Sequence, residues 1–255
     1  MKEVPFPKII HQTWKDENIP EKWLESSLQW KALHPTWLYH YTTDVENRQY
    51  VQEQFPKYLE TYDNLPYPIQ RADMIRYMYL YKMGGVYSDF LDIVPIRPLS
   101  DYNFDPNYEV YACTSGNTPS VYTNSFMISK PHCSLWLDIL EHIRNYKKWF
   151  FTIRHIEIMN STGPGGYTKV IQKHLPKVFT LPSKLFMRFS SADTEEMDCK
   201  EVALKEGAYN YPLVGNSWHS WDSTMIHYIL LYRKSLTIFF VILIFYIIYR
   251  TIKKK

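Results

Sequence analysis

A chain of 255 residues can bury one substantial core, and 17% aromatic content, with 22 Tyr and 8 Trp, argues against intrinsic disorder. The formal charge is +3, yet four cations and no acid fall in residues 235–255, so residues 1–234 carry −1. That balance argues against a nucleic-acid partner, whose phosphates need a clustered cationic face. Cys113, Cys133 and Cys199 are odd in number and lack metal-ligand spacing, which points to neither a disulfide framework nor a zinc site.

Along the chain, Met1-Lys-Glu-Val-Pro-Phe-Pro7 places an acid and two prolines where a cleaved signal peptide would need a basic and then an apolar stretch. A β-branched run before Trp14 reads as a strand. Ile19–Leu33 has helical apolar spacing through Trp23, Leu24, Leu28 and Leu33, and residues 44–60 repeat it through Val45, Tyr50, Val51 and Tyr58. Strands alternating with such helices imply parallel βαβ units and an α/β layout. Pro68 suits a first helical turn, and the pattern runs to Met83, where Gly84-Gly85 offers an αL cap. Val86–Leu91 follows as a short strand, which sets Asp89 and Asp92 at its carboxyl end, where open α/β sheets bind ligands.

Val94–Leu99 contains two prolines and cannot be a central strand. Val110–Cys113 and Ser125–Ser129 are further strands, and Ser134–Lys148 reads as a helix. The segment from Lys177 to Glu206 is irregular, either a substrate-facing loop or a connector. Ser235–Tyr249 is 15 residues without a charge, flanked by Arg233, Lys234 and Arg250. It reads as a single-pass C-terminal membrane anchor, short against the roughly 20 residues that span a bilayer, with snorkelling of the basic flanks making up the difference. The expected division is a catalytic domain over 1–234 and an anchor with a basic tail over 235–255.

The chemistry concentrates between Arg71 and Asp92. Asp73 and Arg76 lie three residues apart on one helical face, either as ligand-binding groups or as a surface ion pair. Asp89 and Asp92 can hold a hard divalent cation, which neutralises a diphosphate in cooperation with one or two carboxylates. Arg71 through Asp92 resembles the DXD-containing glycosyltransferases of family 32, which include Och1-like α-mannosyltransferases and inositolphosphorylceramide mannosyltransferases. Pro7-Lys-Ile-Ile-His-Gln-Thr-Trp14, Trp37 with Tyr39–Asp44, Asn124-Ser-Phe126, Ser161-Thr-Gly-Pro164 and Gly215-Asn-Ser-Trp-His-Ser-Trp221 resemble the family's other blocks, so residues 5–222 are covered.

The resemblance implies a GT-A-like nucleotide-sugar-binding fold with a mostly parallel sheet, followed by a C-terminal hydrophobic helix. It implies a metal-dependent, retaining transfer of a hexose, most simply mannose, from GDP-mannose or a UDP-hexose to a glycan or glycolipid, at a Golgi or endoplasmic reticulum membrane. Asp89, Asp92 and Arg76 would serve catalysis. Trp14, Asp73, Arg76, Tyr87, Asp89, Ser217 and Trp218 would hold the donor, with Trp14 against the base unless it is a core residue. Asp89, Asp92 and His219 would ligate Mn2+ or Mg2+, although the stretch from Asn216 to Asp222 also reads as a packed turn. One departure stands out: the family writes Asp-x-Asp, and this chain writes Asp89-Phe-Leu-Asp92. An extra strand residue turns Asp92 to the other face, so the reading requires a bulge; otherwise Asp92 begins a surface turn before Pro95. The competing function is a membrane protein that binds sugar nucleotides or glycans without catalysis.

Overall fold

The computed structural model describes residues 3–90, 92–115, 118–189, 197–213, 221–223 and 225. They fall into two units, one of residues 1–152 with 156–216 and one of residues 153–155 with 217–255.

In chain order, β1 (Ile9–Thr13) leads through a 3-10 turn to α1 (Leu24–Leu33), β2 (Leu38–Thr42), α2 (Asp44–Gln54) and the short α3 (Leu59–Asp63). The long α4 (Pro68–Met83) delivers β3 (Gly85–Ser88), followed by β4 (Val94–Pro95), β5 (Val110–Ser115) and β6 (Thr118–Ser129). Three helices come next, α5 (Ser134–Arg144), α6 (Arg154–Ser161) and α7 (Pro164–Ile171), and then β7 (Val178–Leu181), α8 (Cys199–Glu206) and β8 (Asn210–Tyr211).

Six strands make one sheet in the order β2-β1-β3-β6-β5-β7. β1 runs parallel to both β2 and β3, and β5 parallel to β7, while β6 is antiparallel to β3 and β5. The sheet is thus mostly parallel, with its direction reversed at β6. β4 stays out of it and pairs only with β8, as the prolines around it require.

Side chains alternate across the sheet with the period of two that strands impose. Tyr87, Ala112 and Met127 face one core with Tyr77, Leu80, Trp136 and Tyr167 of α4, α5 and α7. Val86, Tyr111 and Phe126 face the other, with Trp30, Phe104 and Phe186. At about 25 cal/mol per Å2 of apolar surface, each large side chain buried in these layers contributes on the order of 2 kcal/mol.

Several expected stripes are turned. In α1 the inward face is Ser26, Ser27 and Trp30, while Leu28 is 61% exposed. The reason is polar: Gln12 of β1 donates to Ser26, whose hydroxyl donates to the Ile93 carbonyl, so a hydrogen-bonded seam rather than a leucine stripe seats this helix. In α2, Val51 is buried but Val45 stands in solvent, because a capping box between Thr43 and Glu46 fixes the helix start. The helix expected over Ser134–Lys148 ends at Arg144. The irregular stretch after Lys177 contains β7 and α8.

Gly84 ends α4 as expected, though not as an αL cap: its φ of +65° comes with ψ of −155°. That region is essentially reserved for glycine. Gly85 follows with φ of +90°, and a Cβ there would lie 2.6 Å from the Ile9 carbonyl oxygen. The pair therefore lets β3 start directly against β1.

In the second unit, Asp222 is buried and accepts the His155 backbone N–H at 2.7 Å, and the Ser223 hydroxyl lies 2.9 Å from His155 Nδ1. Among the described residues no helix is long and apolar enough to cross a membrane. The helix expected over 235–255 lies outside the described residues.

Candidate active site

The site grows from α4 and the end of β3. The i,i+3 spacing puts Asp73 and Arg76 on one helical face, and that face is buried: Asp73 is 4% and Arg76 2% exposed. Arg76 bridges two carboxylates, with one terminal nitrogen 3.1 Å from Asp73 Oδ1 and the other 3.1 Å from Asp89 Oδ2. It also donates to the Asn124 carbonyl at 2.8 Å and, through Nε, to the Ala72 carbonyl at 3.1 Å. Its guanidinium stacks over the Tyr87 ring, 4.5 Å from the centroid. Burial works against this charge, yet Asp89, Tyr87 and Asp73 together lift the pKa above its ordinary value. Arg76 is a permanent buried cation held between the two aspartates.

Asp73 is equally enclosed. Asn124 Nδ2 donates to Oδ1 at 3.0 Å and the Thr162 hydroxyl to Oδ2 at 2.8 Å. Burial raises its pKa to about 6 against the pull of Arg76, Thr162 and Asn124. The blocks Asn124-Ser-Phe126 and Ser161-Thr-Gly-Pro164 thereby meet at one residue: β6 and the α6–α7 turn hold the first aspartate. Pro164 stands in the first turn of α7, so the turn ends in a helix start. The Ser161 hydroxyl accepts from Gln70 Nε2 at 2.8 Å, which ties the same turn to α4 a second time.

Asp89 is the accessible member, with 30% of its side chain exposed. Its N–H still donates to the Ser125 carbonyl at 2.8 Å, in continuation of the β3–β6 ladder, and its Oδ1 accepts the Tyr87 hydroxyl at 2.7 Å. Tyr87 itself is 1% exposed, and burial pushes its hydroxyl pKa well up, so it is a fixed neutral donor to Asp89.

No bulge is needed for Asp92. β3 stops at Ser88 and the chain turns at once, so strand alternation no longer governs Asp92. In a turn, residues three apart approach each other, so a three-residue spacing suits a turn as a two-residue spacing suits a strand. Phe90, 4% exposed, anchors that turn by packing edge-on to Trp14 at 6.5 Å and Tyr41 at 6.2 Å between ring centroids. Asp92 is half-buried; burial first and the Asp89 charge second raise its pKa to about 6, opposed by a hydrogen bond with Ser125 and by Arg76.

Trp14 follows β1, half-buried, edge-on to Trp23 at 4.9 Å, and its Nε1 has no hydrogen-bond partner among the described residues. It shares the Phe90 contact with the aspartate turn, so the ring expected against the base stands beside the carboxylates. Ser217, Trp218 and His219 lie outside the described residues.

Three aspartates thus surround one arginine, an excess of negative charge that a divalent cation at Asp89 and Asp92 would offset. Both are oxygen donors, which suits Mn2+ or Mg2+ better than softer metals. Among the described residues no group of three or more His, Cys, Asp and Glu side chains gathers as a metal cluster. Remaining ligands would come from substrate phosphates or from groups beyond those described.

A helix and strand delivering paired carboxylates to the end of a mostly parallel sheet define a site of the sugar-nucleotide transferase type. Residues 20–111 match the family model described as glycosyltransferase sugar-binding region containing DXD motif, so the chain carries that region and the resemblance to family 32 stands. It is 33% identical over 223 residues to mannosyl phosphorylinositol ceramide synthase SUR1 of Saccharomyces cerevisiae, covering 87% of this chain and 54% of that protein. It is 39% identical over 162 residues to inositol phosphoceramide mannosyltransferase 3 of Schizosaccharomyces pombe, covering 62% and 43% respectively. The chain therefore spans about half the length of the curated relatives it matches. In fold it is similar to the PaToxG glycosyltransferase, with a TM-score of 0.51, 16% identity, and 67% of this chain and 70% of that one covered.

Proposed function

We propose that the protein transfers a hexose, most simply mannose, from a nucleoside-diphosphate sugar to a glycolipid or glycan. The observation that carries this reading is the Asp89/Asp92 pair, held at the end of β3 by Arg76, Tyr87 and Ser125. The names of the relatives, which are mannosyltransferases of inositol phosphoceramide, favour mannose and a lipid acceptor.

A divalent cation, when bound, supplies charge for the departing diphosphate, and Asp89 and Asp92 are the residues that would hold it. Asp89 also presents an acceptor to a sugar hydroxyl, because Tyr87 and Arg76 fix its carboxylate in one orientation. Trp14 offers its face to the base, and stacking on an aromatic ring holds any base without specific hydrogen bonds. Asp73 and Arg76 form the buried frame behind these groups. Arg76 pairs with Asp89, and the Thr162–Asp73–Asn124 linkage fixes the helix that carries Arg76. Transfer with retention follows the family resemblance and requires no general base among these carboxylates. The setting proposed is a Golgi or endoplasmic reticulum membrane.

The test compares GDP-mannose with UDP-hexoses for hydrolysis and transfer, with and without manganese. Wild type should turn over one donor only when manganese is supplied, and Asp89→Asn should lose at least about 100-fold in kcat, as expected when a preorganised electrostatic contact is removed. Unchanged circular dichroism would assign the loss to the site. Full activity of Asp89→Asn would refute the reading.

A further inference from the structure

Between α5 and α6 the chain makes a short turn whose three consecutive aromatic rings point outward. Trp149 is 72%, Phe150 87% and Phe151 71% exposed. Single exposed apolar residues are ordinary, whereas a contiguous exposed aromatic patch marks a surface that binds something. The turn is built: the Thr152 N–H donates to the Trp149 carbonyl at 2.9 Å. The rings pack on one another, Trp149–Phe151 at 5.6 Å and Phe150–Phe151 at 4.9 Å between centroids, in edge-to-face contacts.

The surroundings specify what the patch meets. From His142 to Ile156 the sequence contains no acid and four cations, Arg144, Lys147, Lys148 and Arg154. Arg144 pairs with Glu141 and Lys148 with Glu157 at the base of the turn. Arg154 pairs with the buried Asp222; with those three acids counted the stretch still carries +1, and that charge belongs to Lys147, exposed directly beside the rings. An apolar protein partner would match the rings and leave that charge unanswered. A bilayer interface with anionic headgroups answers both, because tryptophan and phenylalanine settle at the headgroup–acyl boundary and lysines gain from surface charge.

We propose that Trp149–Phe151 is a membrane-dipping tip that seats in the interface of an anionic bilayer, separate from the anchor expected over 235–255. α6 begins just beyond the tip and ends at Ser161, next to Thr162, which bonds Asp73. Eight residues of helix rise about 12 Å, a distance over which a lipid-borne headgroup reaches from the bilayer surface toward the site. This last connection rests on the proposed glycolipid acceptor; the tip itself does not.

The test uses the full chain in vesicles of phosphatidylcholine with or without phosphatidylserine. Cys113, Cys133 and Cys199 are all buried, so Phe150→Cys can be labelled selectively with an environment-sensitive NBD dye, and Leu38→Cys serves as the control. Leu38 is 58% exposed and opens β2, at the opposite end of the parallel strands from Asp89. The expected result is that doxyl-labelled lipid quenches the dye at 150 and not at 38, more strongly with phosphatidylserine present. Adding Trp149→Ser and Phe151→Ser should reduce that quenching, and Lys147→Glu should remove its dependence on phosphatidylserine. Equal quenching at both sites, or none at 150, overturns the proposal; a dye at 150 that is shielded from water yet insensitive to doxyl lipid overturns it in favour of a protein partner. No nucleotide sugar enters the measurement, so its failure and failure of the catalytic reading are told apart. Donor hydrolysis by the Trp149→Ser/Phe151→Ser variant should equal wild type, while transfer to an acceptor embedded in vesicles should fall.

Discussion

At Asp92 the proposed function and the stability of the fold pull in opposite directions. Its folded-state pKa lies near 6, above the ordinary 3.8, through burial and the Asp89 charge. A raised carboxyl pKa means that the folded protein binds a proton more readily than the unfolded one. Its contribution to stability is therefore full below about pH 4 and lost as pH rises through about 6. His11 acts with the opposite sign: burial, and next the neighbouring His40, lower its pKa to about 3, so its contribution is full above about 6.5 and lost as pH falls. Comparison of wild type with Asp92→Asn isolates the first term. In metal-free protein at pH 7, Asp92→Asn should raise Tm by about 2–4 °C, the shift expected if about 1 kcal/mol of repulsion is relieved in a domain of this size. The gain should vanish near pH 4, and manganese should raise the Tm of wild type but not of the variant. A lower Tm for Asp92→Asn at pH 7 would show that its carboxylate is structurally satisfied. The identity of these groups was legible in the sequence, because Asp73, Arg76, Tyr87 and Asp89 stand at recognisable spacing. That Arg76 and Tyr87 are buried and face inward to Asp89 was not, since one-dimensional spacing places residues on a face and does not say what covers it.

The helix–turn–strand unit from α4 to the aspartate turn decides where the carboxylates stand. Most of its boundaries could be read from Pro68, Gly84 and the β-prone run, because each reflects a local backbone preference. The end of β3 could not: Val86–Leu91 looks uniformly strand-like, and the stop at Ser88 depends on where β6 and the Phe90 pocket lie. The same lack of tertiary context misplaced the inward faces of α1 and α2, where a buried Ser26 and an exposed Leu28 defy any hydrophobic pattern. The unit has one position without tolerance. At Gly85 a methyl group would meet the Ile9 carbonyl oxygen at 2.6 Å, with φ at +90°. Gly85→Ala should therefore destabilise by at least about 1–3 kcal/mol, the cost of holding a side chain in that backbone region. Because Trp14 follows directly on β1 and Asp89 on β3, a shift between the strands should also raise KM for the donor in whatever folded protein remains. Urea denaturation with donor titration checks both; wild-type stability would mean that β1 and β3 can separate without cost.

For the whole molecule, the proposed membrane setting turns on how the protein would attach. The uncharged run from Ser235 to Tyr249, bounded by basic residues, has no polar stripe with which to face both core and water. The proposed surroundings of this run are lipid. The aromatic tip at Trp149–Phe151 offers a second attachment of a different physical kind, shallow and assisted by charge. The two make separable predictions for a protein lacking residues 235–255. Full-length protein should resist extraction by carbonate. The truncated protein should be released by carbonate, yet still sediment with vesicles containing phosphatidylserine at low salt and leave them as salt is raised, because screening weakens attraction between exposed charges. Donor hydrolysis should survive truncation, since Trp14, Asp73, Arg76, Tyr87, Asp89 and Asp92 all precede the deleted run. Adding Trp149→Ser and Phe151→Ser to the truncated protein should abolish the residual sedimentation with hydrolysis unchanged. Full-length protein extracted by carbonate would exclude the anchor, and truncated protein that is insoluble and inactive would assign the deleted run to the folded core.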